Sequence, residues 1–108
     1  MKFSILSSGS RGNSCYLETG DTRILVDAGL SGIEIERRLG AVGVMTQSLD
    51  AIVVTHEHSD HIKGVGVLAR RFELPVYANS QTLKSGEKAL GKLPAVVPIQ
   101  TGETLKIK

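Results

Sequence analysis

All three histidines of the chain fall within seven consecutive residues, Thr55-His56-Glu57-His58-Ser59-Asp60-His61, with an aspartate between the last two. Side chains at alternating positions of extended backbone face the same side, so His56 and His58 present two imidazoles together. Asp60 and His61 follow, free to turn with the chain toward a neighbouring point. Imidazole nitrogen and carboxylate oxygen suit Zn²⁺, and equally Mn²⁺ or Fe²⁺, whereas a thiolate cluster would point to zinc or iron–sulfur chemistry. The loop therefore reads as ligands for two adjacent metal ions. His56 and His58 serve the first and Asp60 and His61 the second, with Asp60 also the candidate catalytic carboxylate. A histidine tract can be a tag, but a tag lies at a terminus, and this one is internal and follows the apolar run Ala51-Ile52-Val53-Val54.

That run reads as a short strand buried on both faces, with the histidine loop leaving its carboxyl end, where ligands sit on a rigid base and stay reachable. Upstream, three short strands are expected: Phe3 to Ser7, Cys15 to Thr19, and Thr22 to Val26 ending at Asp27. The last two form a hairpin about the Gly20-Asp21 turn, and the Ser7–Ser14 segment is a glycine- and serine-rich loop. Ser31-Gly32-Ile33-Glu34 has the spacing of a capping box, and Leu30 and Ile35 that of a hydrophobic staple. Ile35, Leu39 and Val42 then continue one helical face to an end near Leu39–Val42. A second helix is expected over Ile62, Val65, Leu68, Ala69 and Phe72, with Asp60 and His61 at its N-terminus. Gly64 and Gly66 lower its propensity and suggest a close approach of backbone or substrate, or simple packing. Leu74–Tyr77 reads as a strand, Ser80 as the cap of a helix ending at Gly91, and Ala95–Ile99 and Thr104–Ile107 as two last strands. Strand–helix alternation of this kind indicates a layered α/β domain.

The spacing His-x-His-x-Asp-His after an apolar strand, with Leu25-Val26-Asp27-Ala28-Gly29 upstream, resembles the metallo-β-lactamase-fold hydrolases. Ser7-Ser8-Gly9-Ser10-Arg11-Gly12-Asn13, Asp27-Ala28-Gly29-Leu30-Ser31 and Pro75-Val76-Tyr77-Ala78 narrow the resemblance to the YycJ/WalJ-type branch. The resemblance runs from Met1 to Lys108. It implies half of an αββα sandwich, a mixed β-sheet with helices on one face, and a single domain at 1–108 that is the N-terminal portion of a longer enzyme. It also implies two zinc ions in that enzyme, with manganese or iron as substitutes, and a role for Asp27 in orienting the metal loop. The activity implied is that of a phosphodiesterase or nuclease on DNA or RNA. Among Ser8, Ser10, Arg11 and Asn13, the polar residues of the glycine-flanked loop that could meet a phosphate, Ser10 and Asn13 are the candidate contacts. Two other readings stay open: a glyoxalase-type thioester or amide hydrolase, and a non-catalytic metal-binding module. With no fourth histidine in the chain, each ion is short of ligands. The 108 residues alone are thus expected to bind metal weakly, to lack hydrolytic activity, and to self-associate through uncovered apolar surface.

Composition bounds these readings. A chain of 108 residues, 41% hydrophobic and 22% charged, is one globular domain's worth. A formal charge of +2 is too mild to argue nucleic-acid binding by itself. No apolar run reaches the length of a membrane span and no signal-peptide core is present, which argues against a periplasmic β-lactamase. The single Cys15 cannot form an internal disulfide and reads as a small buried hydrophobe. Cytoplasm is the expected compartment.

Overall fold

The computed structural model describes residues 1–56, 58–100 and 107, with Ser59 and Asp60 described by backbone alone. Among these, the strands β1 (Lys2–Ser7), β2 (Ser14–Thr19), β3 (Thr22–Ala28), β4 (Ala51–Val53), β5 (Val76–Asn79) and β6 (Val96–Ile99) form one mixed sheet in chain order. The first three are antiparallel neighbours and the rest add in parallel. Connection length explains the switch, because a tight turn suffices for a hairpin but a parallel pair needs a crossover. The hairpin turns at Gly20, whose φ of 59° suits glycine. The crossovers carry α1 (Gly32–Ala41) with a 3₁₀ turn at Thr46–Ser48, then α2 (Ser59–Ile62) with α3 (Val65–Phe72), then α4 (Ser80–Ser85) with α5 (Glu87–Leu90).

Sheet register shows which face the helices cover. Tyr16, Leu25, Ile52 and Val76 lie side by side across four strands, and each is 0% exposed. They join Ile35 and Leu39 of α1 and Val65, Leu68 and Ala69 of α3 in one apolar core. The next row, Cys15, Val26, Val53 and Tyr77, points the other way and is only partly buried. On that side Leu17, Ile24, Val26, Val53 and Ile107 line an apolar cleft of about 390 Å³, and at the sheet edge Phe3 and Ile5 are 59% and 65% exposed. Helices on one face of a mixed sheet are the arrangement the resemblance implied.

Local signals explain where the helices begin and break. Ser31 Oγ accepts the Glu34 amide (3.3 Å), as the capping-box spacing predicts. The Glu34 carboxylate, however, turns to Arg37 and Arg38, and Arg38 also donates to the Leu6 carbonyl oxygen of β1 (2.8 Å). The single helix expected over Ile62–Phe72 is two helices broken before Val65, for a reason that belongs to the site below. The helix expected to start at Ser80 is capped instead by Asn79, whose Oδ1 accepts the Thr82 amide (2.7 Å), and it breaks at Gly86. The strand expected at Thr104–Ile107 lies, apart from Ile107, outside the described residues.

Hydrogen bonds from Arg37 and then Arg38 hold the Glu34 carboxyl down to about 2. A depressed carboxyl contributes its stabilisation fully above its ordinary value of 4.5 and loses it as pH falls through about 2. Glu34→Gln should therefore lower the urea midpoint at pH 7, with the difference closing between pH 4.5 and about 2 and shrinking in high salt. A pH-independent difference would assign the effect to packing rather than charge.

Candidate metal centre

The loop leaves the sheet through Val54, which is 3% exposed and donates its amide to the Tyr77 carbonyl oxygen (2.8 Å). The next residues, Thr55, His56 and His58, are exposed. α2 then brings His61 back over the sheet end. The His56 and His58 rings lie roughly parallel (24°) with centroids 6.3 Å apart, and His61 approaches His56 to 4.8 Å. The three imidazoles thus gather at the carboxyl end of β4. Glu57 and the Asp60 side chain lie outside the described residues.

Beneath them sits Asp27, 5% exposed. Its Oδ1 accepts the Thr55 amide (2.7 Å), and its Oδ2 accepts the Thr55 hydroxyl (2.6 Å) and meets His61 Nδ1 (2.8 Å). A carboxylate only accepts, so His61 donates from Nδ1 and, when neutral, keeps its lone pair on Nε2. Histidines that ligate metals are commonly held by such a carboxylate on the other ring nitrogen. Asp27 reaches this position through a fault in the sheet. Ser14 pairs with Ala28 but Cys15 with Val26, so Asp27 is the extra residue of a β-bulge, and its φ is 61°. Bulges re-aim side chains, and aspartate tolerates the left-handed region better than most residues.

Three bonds brace the bulge. Ser14 Oγ donates to the Asp27 carbonyl oxygen (2.8 Å), the Gly29 amide to that of Asn13 (2.9 Å), and the Gly64 amide to that of Ala28 (2.7 Å). The last explains the break between α2 and α3, since Gly64 is the point where the helical crossover is fastened to the strand end. A Cβ on Gly64 would strike the Leu30 carbonyl oxygen and lie 3.2 Å from the Gly32 amide nitrogen. Gly66 similarly abuts the Leu90 carbonyl oxygen. The close approach raised by these glycines is therefore one of backbone to backbone. Gly64→Ala should cost about 1–3 kcal/mol, because rigid backbone must shift. Gly40→Ala, with nothing within 4 Å of the added methyl, should instead stabilise α1 by up to about 1 kcal/mol. Urea unfolding of the two variants reads the opposite signs, and equal effects would remove the packing argument.

Ser10 is exposed on the glycine-rich loop. Asn13 closes that loop on itself: its Nδ2 donates to the Gly9 carbonyl oxygen (2.9 Å) and its Oδ1 accepts the Gly9 amide (3.1 Å). Residue type alone assigns Thr55 no role, although it stands immediately after an apolar strand and before the first histidine. Burial and the Asp27 charge raise the Cys15 thiol, and the residue lies half-buried in β2 on the open face.

The donor set suits a divalent ion in type. It has three imidazoles, His56 and His58 exposed and His61 half-buried against the Asp27 carboxylate. Among the described residues, no group of three or more His, Cys, Asp or Glu side chains is close enough to hold an ion. Among those residues, too, no helix is long and apolar enough to cross a membrane.

Over 94 residues the chain is 55% identical to Exodeoxyribonuclease WalJ of Streptococcus pneumoniae, covering 85% of this chain and 35% of that protein. It is 49% identical over 94 residues to Exodeoxyribonuclease YycJ of Bacillus anthracis, covering 87% and 36%. The chain thus spans little more than a third of the length of these curated relatives. A metallo-beta-lactamase structure from Cronobacter sakazakii superposes with a TM-score of 0.71 at 28% identity, over 91% of this chain and 45% of that one. The profile of the metallo-beta-lactamase superfamily matches residues 8–104, and the chain belongs to that superfamily.

Proposed function

We propose that residues 1–108 form the N-terminal portion of a metallo-β-lactamase-fold domain. In our reading they carry the first metal loop of a metal-dependent nuclease that cleaves phosphodiesters in DNA. The observation that carries the reading is the buried Asp27 carboxylate gripping Thr55 and His61 beneath two exposed imidazoles. A loop that only needed to be soluble has no use for a bulged strand and a left-handed aspartate. The substrate class is taken from the likeness to two exodeoxyribonucleases.

His56 and His58 would hold one divalent ion and Asp60 and His61 the other, with zinc the proposed metal and manganese or iron compatible with the same donors. Bound there, the ions would supply a nucleophile at neutral pH and stabilise charge in an in-line displacement. The chain's own residues do the positioning. Asp27 fixes the His61 ring and the start of the loop, Gly64 ties the crossover to the strand end, and Asn13 shapes the neighbouring loop, on which Ser10 is a candidate phosphate contact.

The test is metal-dependent cleavage of single- and double-stranded DNA by a protein of the relatives' length carrying this sequence, with RNA and a thioester as comparison substrates. His58→Ala and Asp60→Ala should each cost more than the about 10–100-fold that follows loss of a ligand's supporting partner, with the fold retained. Turnover of the thioester alone would replace the nuclease reading with a glyoxalase-type one, and metal binding without turnover would leave a binding module.

A further inference from the structure

Thr55 Oγ1 stands between the Asp27 carboxylate and a second histidine. It lies 2.6 Å from Asp27 Oδ2 and 3.0 Å from His56 Nδ1. A hydroxyl has one proton to give. If that proton pointed at His56, a hydroxyl lone pair would face a carboxylate oxygen at 2.6 Å, setting acceptor against acceptor. The proton therefore goes to Asp27. His56 must then donate from Nδ1 to the hydroxyl oxygen, which, as at His61, leaves the lone pair of the neutral ring on Nε2.

We infer that Thr55 is a positioning residue that relays the Asp27 carboxylate to His56, so that one buried acid sets the ring tautomer of both His56 and His61. In the proposed centre these histidines belong to different ions, and the relay orients one ligand of each from a single point. What the tautomers are for rests on the metal reading, whereas their existence does not. A solvated neutral imidazole prefers its proton on Nε2, so two Nδ1–H rings side by side need a cause. The hydroxyl and the carboxylate provide it, at the cost of making Thr55→Val more than a surface change.

The experiment is long-range ¹H–¹⁵N correlation spectroscopy of the metal-free 108-residue chain at a pH where the rings are neutral. The native chain should show Nδ1–H patterns for His56 and His61. Thr55→Val should move His56 toward Nε2–H and leave His61, held directly by Asp27, unchanged, while Thr55→Ser should restore the native pattern. Titration with Zn²⁺ alone, followed on the same signals, should show weaker binding at His56 in Thr55→Val by about 10-fold or more. A native His56 carrying its proton on Nε2 overturns the inference with no variant needed. So does a Thr55→Val spectrum unchanged at His56, or one in which His56 and His61 change together and serine does not rescue, since that describes a residue that merely holds the loop. If the tautomer pattern appears as expected but Zn²⁺ perturbs none of the histidines, the relay stands and the metal reading fails.

Discussion

Asp27→Ala should lower the stability of the chain by about 2–4 kcal/mol and loosen the whole histidine loop. Alanine at a φ of 61° carries a left-handed penalty of about 1–2 kcal/mol. The Thr55 amide, the Thr55 hydroxyl and His61 Nδ1 all lose their acceptor. Orphaned buried donors cost about 1–3 kcal/mol each, but Thr55 is exposed and water can reach part of the gap, so the total stays below the simple sum. Against a typical domain stability of about 5–15 kcal/mol this is a large fraction. Asp27→Asn separates the parts. Asparagine tolerates the same backbone and can still accept the Thr55 amide, but it turns an NH₂ toward groups that need an acceptor. It should cost about 1–2 kcal/mol yet weaken Zn²⁺ binding by about 10–100-fold. Urea unfolding and metal titration of the two variants are the measurements. If asparagine matches the native chain in both, the carboxylate charge is not what organises the loop.

The histidine loop was legible because its residue types speak for themselves, as were the Gly20 hairpin and the Ser31 cap, whose signals are local. The bulge at Asp27 was not. Register between β2 and β3 is decided by which residues pair across strands, and no glycine at position 27 advertises the positive φ. The break in the second helix was only half legible. Gly64 was visible as a weak helix former, but the Ala28 carbonyl that takes its amide is 36 positions away and comes near only when the sheet has formed. Asn79 outcompetes Ser80 as a cap for a similar reason, because β5 ends there and leaves the longer side chain at the boundary. For Thr55 the residue could be read but not its role, since a hydroxyl's partners are set by what folds beneath it. Of the proposed ligand set, His56, His58 and His61 are brought together, and Asp60 enters only by its place in α2.

The 108-residue chain should show no metal-dependent DNA cleavage of its own. Catalytic zinc sites hold each ion with three protein groups and keep one position open. The chain has three histidines in all, and with Asp60 the proposed division gives two ligands to each ion. Two imidazoles on an exposed rim bind a divalent ion weakly and let it exchange, so an activated nucleophile is not maintained through turnover at neutral pH. Asp27 and Thr55 cannot repair this, since they orient rings that are already counted. Metal binding and catalysis should therefore separate in this chain: Zn²⁺ should perturb the histidine signals at high concentration while the DNA stays intact, and elemental analysis after dialysis should find fewer than two ions per chain. Mixing the chain with a polypeptide covering the remainder of a relative's sequence should raise both affinity and turnover if the missing ligands are what limits it. Cleavage by the chain alone, abolished by His58→Ala and by Asp60→Ala in nuclease-free preparations, would mean that other residues or a second copy complete the shell.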